Sequence, residues 1–184
     1  MQQTAPPSEP ESLPSDPETL RHLSAGIAMT CAGFNLRRAS RAVTQHFDHA
    51  LASVGLRTTQ FTLLGALALA GPVSTNELAH GLVMDRTTLT RNLRLLRDAG
   101  LVATQPGGRE VRFVLSDAGR DALARAIPVW REAQGGIVTA FGADRWPTMV
   151  AELDRLVRGA LALDNAVPTT NGPAAEGTVA EGPA

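Results

Sequence analysis

The stretch MDRTTLTRNLRLLRDAG, residues 84–100, combines three threonines and four arginines with a line of leucines. At 100° per residue the leucines share one narrow arc of a helix, and polar side chains occupy the opposite arc. Arginine can donate two hydrogen bonds to a guanine edge, and threonine can offer a hydroxyl or a methyl group to a base. We therefore predict a helix that faces the DNA major groove through Thr87, Thr90, Arg91 and Arg94.

The alternative for this helix is a solvated surface whose arginines only pair with nearby acids. Asp98 is the only acid after Asp85 in the stretch, so pairing within the helix cannot neutralise its charge. Asp85 itself is suited to cap the start of the helix, and Gly100 is suited to end it. These features favour the DNA-facing interpretation.

The elements on either side of this helix predict a winged helix-turn-helix. STNELAHGL (74–82) places Glu77 three residues after Ser74, which is the pattern of a capping box on a short helix. LVATQPGGREVRFVLS (101–116) has two β-prone runs around Pro-Gly-Gly, which predicts a hairpin. Its arginines are candidates for the minor groove or the phosphate backbone. Arg109 lies at the turn and is the better candidate, whereas Arg112 either contacts DNA or positions the strand.

The rest of the body is predicted to be helical. Residues 19–54 form one long helix with two opposite apolar faces, of which we assign the first to a subunit partner and the second to a domain core. The alternative is a helix covered on both sides within one subunit. Residues 58–71 predict a buried helix that begins with threonine caps, and helices follow at about 117–140, starting from a Ser116 cap, and 145–163.

Charge is distributed unevenly along the 184 residues. All 17 basic residues are arginine and lie in residues 19–163, which hold 11 acids and so have a net charge of +6. This is compatible with a polyanionic partner. Residues 1–18, which are acidic, and 164–184 are predicted to be disordered tails because they lack apolar content. With no membrane-length apolar run, no secretory signal pattern and only one cysteine, we expect a cytoplasmic protein.

Four stretches carry a family resemblance: LRRASRAV (36–43), TTQFTLL (58–64), STNELAHGLVMDRTTLTRNLRLLRDAGLV (74–102) and VRFVLSDAGR (111–120). Together with the order of elements, they resemble the MarR family of winged-helix transcription regulators. The resemblance covers residues 19–163 and implies a single, mainly α domain. A winged helix-turn-helix of about 56–116, with a small β-hairpin, would lie between dimerisation helices of about 19–54 and 117–163.

The resemblance also implies a function. Such regulators bind a pseudo-palindromic operator on double-stranded DNA as homodimers, and many are repressors that release DNA when a small phenolic or aromatic acid binds. Thr87, Thr88, Thr90 and Arg91 match DNA-contacting positions, and Arg109 matches the wing arginine. One departure is Gly107, which stands where many members have an aspartate that braces the wing arginine.

Candidate effector residues come from the helices around the expected crevice. Arg38 and Arg41 continue the first apolar stripe and could attract a carboxylate; alternatively they form intersubunit pairs or touch DNA phosphate. Phe34, Phe61 and Trp130 are candidates for an apolar lining, with plain core packing as the alternative.

Cys31 raises the possibility of a redox trigger, since some members of the family sense peroxides through one cysteine near this point. Those sensors hold the thiolate with tyrosines, and this chain has none. Because Cys31 lies on an apolar stripe between Ile27 and Phe34, we predict a packing cysteine, with redox switching as the alternative.

No pattern in the sequence indicates an enzyme. The four histidines are scattered without a metal-ligand spacing, and no phosphate loop or catalytic serine motif is present. We therefore predict no metal, no cofactor and no catalytic residue. A winged-helix adaptor that binds proteins instead of DNA is the remaining alternative, but its contact face would be expected to carry aromatic or aliphatic anchors.

Overall fold

The computed structural model describes residues 15–108 and 110–166 of the chain. None of the helices in this part of the chain is long and apolar enough to cross a membrane. Its contacts group into two compact units, which divide after Ala133.

The elements follow the predicted order of helices, hairpin and helices. Their bounds are α1 Pro17–Thr30, α2 Ala32–Leu51, a 3₁₀ turn Ala52–Val54, α3 Thr58–Ala70, α4 Thr75–Leu82, α5 Arg86–Asp98, β1 Val102–Gly107, β2 Glu110–Leu115, α6 Asp117–Phe141 and α7 Trp146–Ala166. The unit boundary falls inside α6. The predicted class, mainly α with one β-hairpin, is confirmed.

The prediction of one continuous first helix was wrong. Cys31 has extended backbone angles, φ −67° and ψ 115°, and separates α1 from α2. The side-chain amide of Asn35 donates to the carbonyls of Ala28 (3.2 Å) and Cys31 (3.0 Å) across the break. Asn35 therefore satisfies one carbonyl in the last turn of α1, that of Ala28, which has no partner within the helix.

Leucines from several helices build the core of the first unit. The largest fully buried side chains are Leu51, Leu63, Leu64, Leu67, Leu89, Leu93 and Leu96. The apolar arc predicted for the 84–100 stretch is therefore the buried face of α5. The prediction that α3 is buried holds for Leu63, Leu64 and Leu67, but its last turn is exposed, with Leu69 at 92%.

The helix caps agree with the sequence patterns except at α3. Ser74 and Glu77 form the expected capping box of α4, and the Asp85 carboxylate accepts the Thr88 amide at 2.9 Å. The hydroxyl of Ser116 accepts the Gly119 amide at 3.0 Å, which caps α6. The threonine caps predicted for α3 were wrong, because Thr58 is its first helical residue and bonds to Asp48 on α2.

The hairpin is confirmed as an antiparallel pair of strands. Its register runs from Val102 opposite Leu115 to Gly107 opposite Glu110. An isolated bridge between Val73 and Phe113 joins β2 to the segment before α4. The wing is thus hydrogen-bonded to the helix-turn-helix by the backbone itself.

The second unit contains the end of α6, a turn and α7. Phe141 and Trp146 pack edge to face with ring centroids 6.0 Å apart, and the Arg145 guanidinium carbon lies 4.9 Å from the centre of the Phe141 ring. Several large apolar side chains of α7 are exposed: Val150, Leu153, Leu156, Val157, Leu161 and Leu163.

Candidate nucleic-acid interface

The outward face of α5 carries the side chains predicted to contact DNA. Burial of its three leucines fixes the rotation of this helix and leaves the opposite face in solvent. The predicted residues on α5 are all exposed: Thr87, Thr88, Thr90, Arg91 and Arg94. The structure therefore brings these five together on one short helix.

The hydrogen-bonding state of these side chains differs. Arg91 forms no ion pair within residues 15–108 and 110–166, whereas Arg94 lies 3.7 Å from Asp98. The Thr90 hydroxyl donates to the Arg86 carbonyl at 2.8 Å. In this rotamer Thr90 can offer a base only its methyl group or an acceptor lone pair. The guanidinium N–H groups of Arg91 are not engaged in an ion pair in the described part of the chain and can donate to a base.

The start of α5 is held by a charged cap. Hydrogen bonding from Thr88 to the Asp85 carboxylate, chiefly from its backbone amide, lowers the pKa of Asp85 below its ordinary value. The ionised carboxylate satisfies an amide at the helix N-terminus, where backbone N–H groups have no partner within the helix. This cap fixes the first turn, which carries Thr87 and Thr88.

A groove beside α5 contains two arginines that the sequence analysis did not select. Its volume is about 400 Å³, and its lining residues are Thr75, Asn76, Arg86, Arg97, Thr104, Glu110, Val111 and Phe113. Arg86 and Arg97 lie in the 84–100 stretch, but neither belongs to the polar arc of α5 from which the DNA-contacting residues were predicted. That these two arginines line a groove together with residues of the wing is visible only in the tertiary structure.

Of the two wing arginines, Arg112 lies within the described residues. Arg109 lies outside the described residues. Arg112 points back towards α4, where its Nη1 atom donates to the Pro72 carbonyl (2.9 Å) and to the Glu77 carboxylate (3.3 Å). Of the two roles considered for Arg112, these contacts favour positioning of the strand.

The five candidate effector residues fall into separate groups in the single chain. Phe61 and Trp130 stack with ring centroids 5.9 Å apart. Phe34 and Arg41 line a shallow depression of about 440 Å³ together with Cys31, Gly33 and Arg37. Arg38 is exposed on α2. The stack and the depression share no residue.

Cys31 is exposed in the single chain, as are Ile27 and Phe34, its neighbours on the apolar stripe that we assigned to a subunit partner. Packing of Cys31 against a partner stays a prediction. Among the described residues, no cluster of three or more histidine, cysteine or acidic side chains could hold a metal ion. His46 contacts the Ala133 carbonyl through Nε2 at 3.1 Å, which is a helix-packing role.

Comparison with known proteins identifies the family. A model of the MarR family matches residues 54–110. The M. tuberculosis transcriptional regulator MosR is 36% identical, with a TM-score of 0.67 and coverage of 73% of this chain and 98% of MosR. A MosR structure in complex with DNA is 38% identical, with the same coverage and TM-score.

A second similar structure is that of the transcriptional repressor CouR. It is 26% identical, with a TM-score of 0.65 and coverage of 72% of this chain and 96% of CouR, and it is bound to a 23-mer DNA duplex. CouR has also been solved with p-coumaroyl-CoA. A search of curated proteins finds no match to the chain. These relatives are transcription regulators and not enzymes, and the extent of the similarity shows that this chain belongs to the MarR family of DNA-binding transcriptional regulators.

Proposed function

We propose that this regulator binds a pseudo-palindromic operator as a homodimer and represses transcription until a small ligand releases it. The observation that carries the DNA-binding site is the exposed Thr87, Thr88 and Arg91 face of α5, opposite three buried leucines. The structure of MosR in complex with DNA supports DNA as the partner.

The proposed roles follow from the chemistry of each side chain. Thr87, Thr88 and Arg91 read base edges in the major groove, and Thr90 contributes its methyl group. Arg94 contacts phosphate, and Arg109 reaches the minor groove or the backbone from the wing tip. Because arginine–phosphate contacts release counterions, affinity should fall steeply as salt rises.

Exposed apolar stripes support a homodimer. On α1, Leu20, Leu23 and Ile27 are between 44% and 57% exposed, which is costly for a helix that only faces water. A separate stripe on α7 is exposed in the same way. A second copy of the chain would cover both stripes, and two-fold symmetry would place the two copies of α5 about 34–36 Å apart on DNA.

The proposed ligand is an anion with an aromatic or other apolar body. The depression at Phe34 combines a half-exposed ring with Arg37 and Arg41, which suits an anionic group beside an apolar one. The CouR complex with p-coumaroyl-CoA supports this class.

A redox trigger through Cys31, which is exposed in the single chain, is the second candidate. A Cys31→Ser variant separates the two triggers. Loss of the response to peroxide with the ligand response intact would support the redox switch. An unchanged response to every inducer would exclude it.

The decisive test is a fluorescence-anisotropy titration with the intergenic DNA upstream of the gene and a shuffled duplex, at two salt concentrations. We expect tight, salt-sensitive binding that prefers the upstream DNA. Weak binding that is equal on both duplexes would contradict operator recognition at that site and would favour an adaptor role.

A further inference from the structure

One side chain links three parts of the DNA-binding unit. The Arg112 guanidinium, on β2, reaches the carbonyl of Pro72 in the α3–α4 connection and the carboxylate of Glu77 on α4. Both hydrogen bonds start from the same atom, Nη1. In addition to the hydrogen bonds between the two strands, the Arg112 guanidinium therefore connects the wing to α4, the first helix of the helix-turn-helix. We call this pair of hydrogen bonds the tie.

The hydrogen bonds of Arg112 share an acceptor atom with the capping box of α4. The Glu77 oxygen that accepts from Arg112, Oε2, also accepts the Ser74 amide at 2.8 Å. On the neighbouring residues, the amides and carbonyls of Val73 and Phe113 exchange two hydrogen bonds, of 3.1 and 2.8 Å. Arg112 thus supports a short backbone bridge whose two ends are separated by 40 residues.

The path of the Arg112 side chain depends on Gly107. A Cβ atom at position 107 would lie 2.5 Å from Arg112 Cγ, 2.8 Å from its Cδ and 2.8 Å from the Glu110 carbonyl oxygen. These distances are too short for real contacts, and one of the atoms belongs to the backbone. Any side chain at residue 107 must displace the arginine stem or shift the strand.

We infer that Arg112 is a positioning residue that fixes the wing against α4, and that Gly107 is required because it leaves room for the Arg112 stem. The consequence for DNA binding rests on the proposed function, since it assumes that Arg109 at the wing tip touches the duplex. The tie itself is a property of the free protein.

The Arg112–Glu77 ion pair is exposed to solvent, so its loss should affect local opening more than global stability. The Arg112 and Glu77 side chains are 36% and 53% exposed, and ion pairs this open contribute little to global stability. Loss of the tie should therefore leave the unfolding midpoint almost unchanged. It should instead increase local opening of the bridge that it supports.

Hydrogen exchange in the free, full-length protein tests the tie. Arg112→Met and Gly107→Ala should each speed exchange at the Val73 and Phe113 amides by about fivefold or more, with little change at the α5 amides. Arg112→Lys should stay near wild type, because one ammonium can serve both acceptors that Nη1 serves. Arg125→Met, which removes an exposed arginine from α6, is the matched control. Unchanged exchange in Arg112→Met would overturn the inference.

A double-mutant cycle tests the consequence for DNA, using a duplex that the wild-type protein selects from a random library of about 30 base pairs. We expect Arg109→Ala to weaken binding about tenfold in the wild-type background and less than twofold in Arg112→Met. An equal factor in both backgrounds would overturn the positioning role. Failure of the wild-type protein to select any duplex would overturn the proposed function, and the exchange result would then decide the tie alone.

Discussion

The backbone amide and the hydroxyl of Thr58 both donate to the same oxygen of Asp48, Oδ1, at 2.7 Å each. Asp48 lies on α2 and Thr58 is the first residue of α3, so a side chain from one helix caps the next. These bonds, first of all the one from the Thr58 amide, lower the pKa of Asp48, and the nearby Arg57 charge lowers it further. The contact holds α3, whose leucines form much of the core, against α2.

Replacing Asp48 should lower stability in a pH-dependent way. Asp48→Ala should cost about 1 kcal/mol at pH 7, which is typical for loss of a helix cap. Since the folded pKa is lowered, the ionised group stabilises the fold at pH values above its unfolded pKa. That contribution is lost as pH falls through the folded pKa. Urea unfolding at pH 7 and pH 3 should show the difference between wild type and variant shrinking in acid. Asp121→Ala, an exposed acid on α6, is the control, and a difference independent of pH would contradict the assignment.

Arg91→Ala should reduce sequence-specific binding. We expect a loss of about 1–3 kcal/mol on a duplex selected by the protein and a smaller loss on a shuffled one, because the arginine would read a base edge. Anisotropy titrations on both duplexes measure this, with Arg131→Ala on α6 as the control. An equal loss on the two duplexes would make Arg91 a phosphate contact.

Arg94→Ala should weaken binding on every duplex by a similar factor. The residue is exposed on the second half of α5, and its one ion-pair partner within residues 15–108 and 110–166 is Asp98, which it can exchange for phosphate. Loss of one phosphate contact should reduce the slope of log affinity against log salt by about 1 per subunit. The slope is measured by repeating the titration at several salt concentrations. An unchanged slope would mean that Arg94 does not contact phosphate.

Val83→Asn should raise stability. Val83 is the C-cap residue that follows α4, with a φ of 50°, in the left-handed region where a β-branched residue is strained and asparagine is tolerated. The residue is 56% exposed, so little packing is lost. We expect a gain of about 0.5–1 kcal/mol, with a smaller gain for Val83→Ala. Thermal unfolding of the three proteins measures it, and a lower midpoint for Val83→Asn would show that the valine packs usefully here.

The sequence alone determined the features that depend on neighbouring residues. The spacing of Leu89, Leu93 and Leu96 predicted the buried face of α5, and therefore which threonines and arginines face outward. Ser74 with Glu77, and Asp85, predicted their caps because the bonded groups lie three residues apart. A helix rotates by a fixed angle per residue, so such patterns can be read without knowing the tertiary structure.

Only the tertiary structure decided the features that join distant residues. The apolar stripes predicted one long first helix, but Asn35 reaches back seven residues to the carbonyl of Ala28 and allows a break at Cys31. Thr58 bonds to Asp48 instead of capping α3, and Arg112 reaches Glu77 across 35 positions. Pairings of this kind depend on how whole elements pack. The sequence offers several possible polar partners for each donor, and the packing of α2, α4 and the wing decides which partner lies within hydrogen-bond distance.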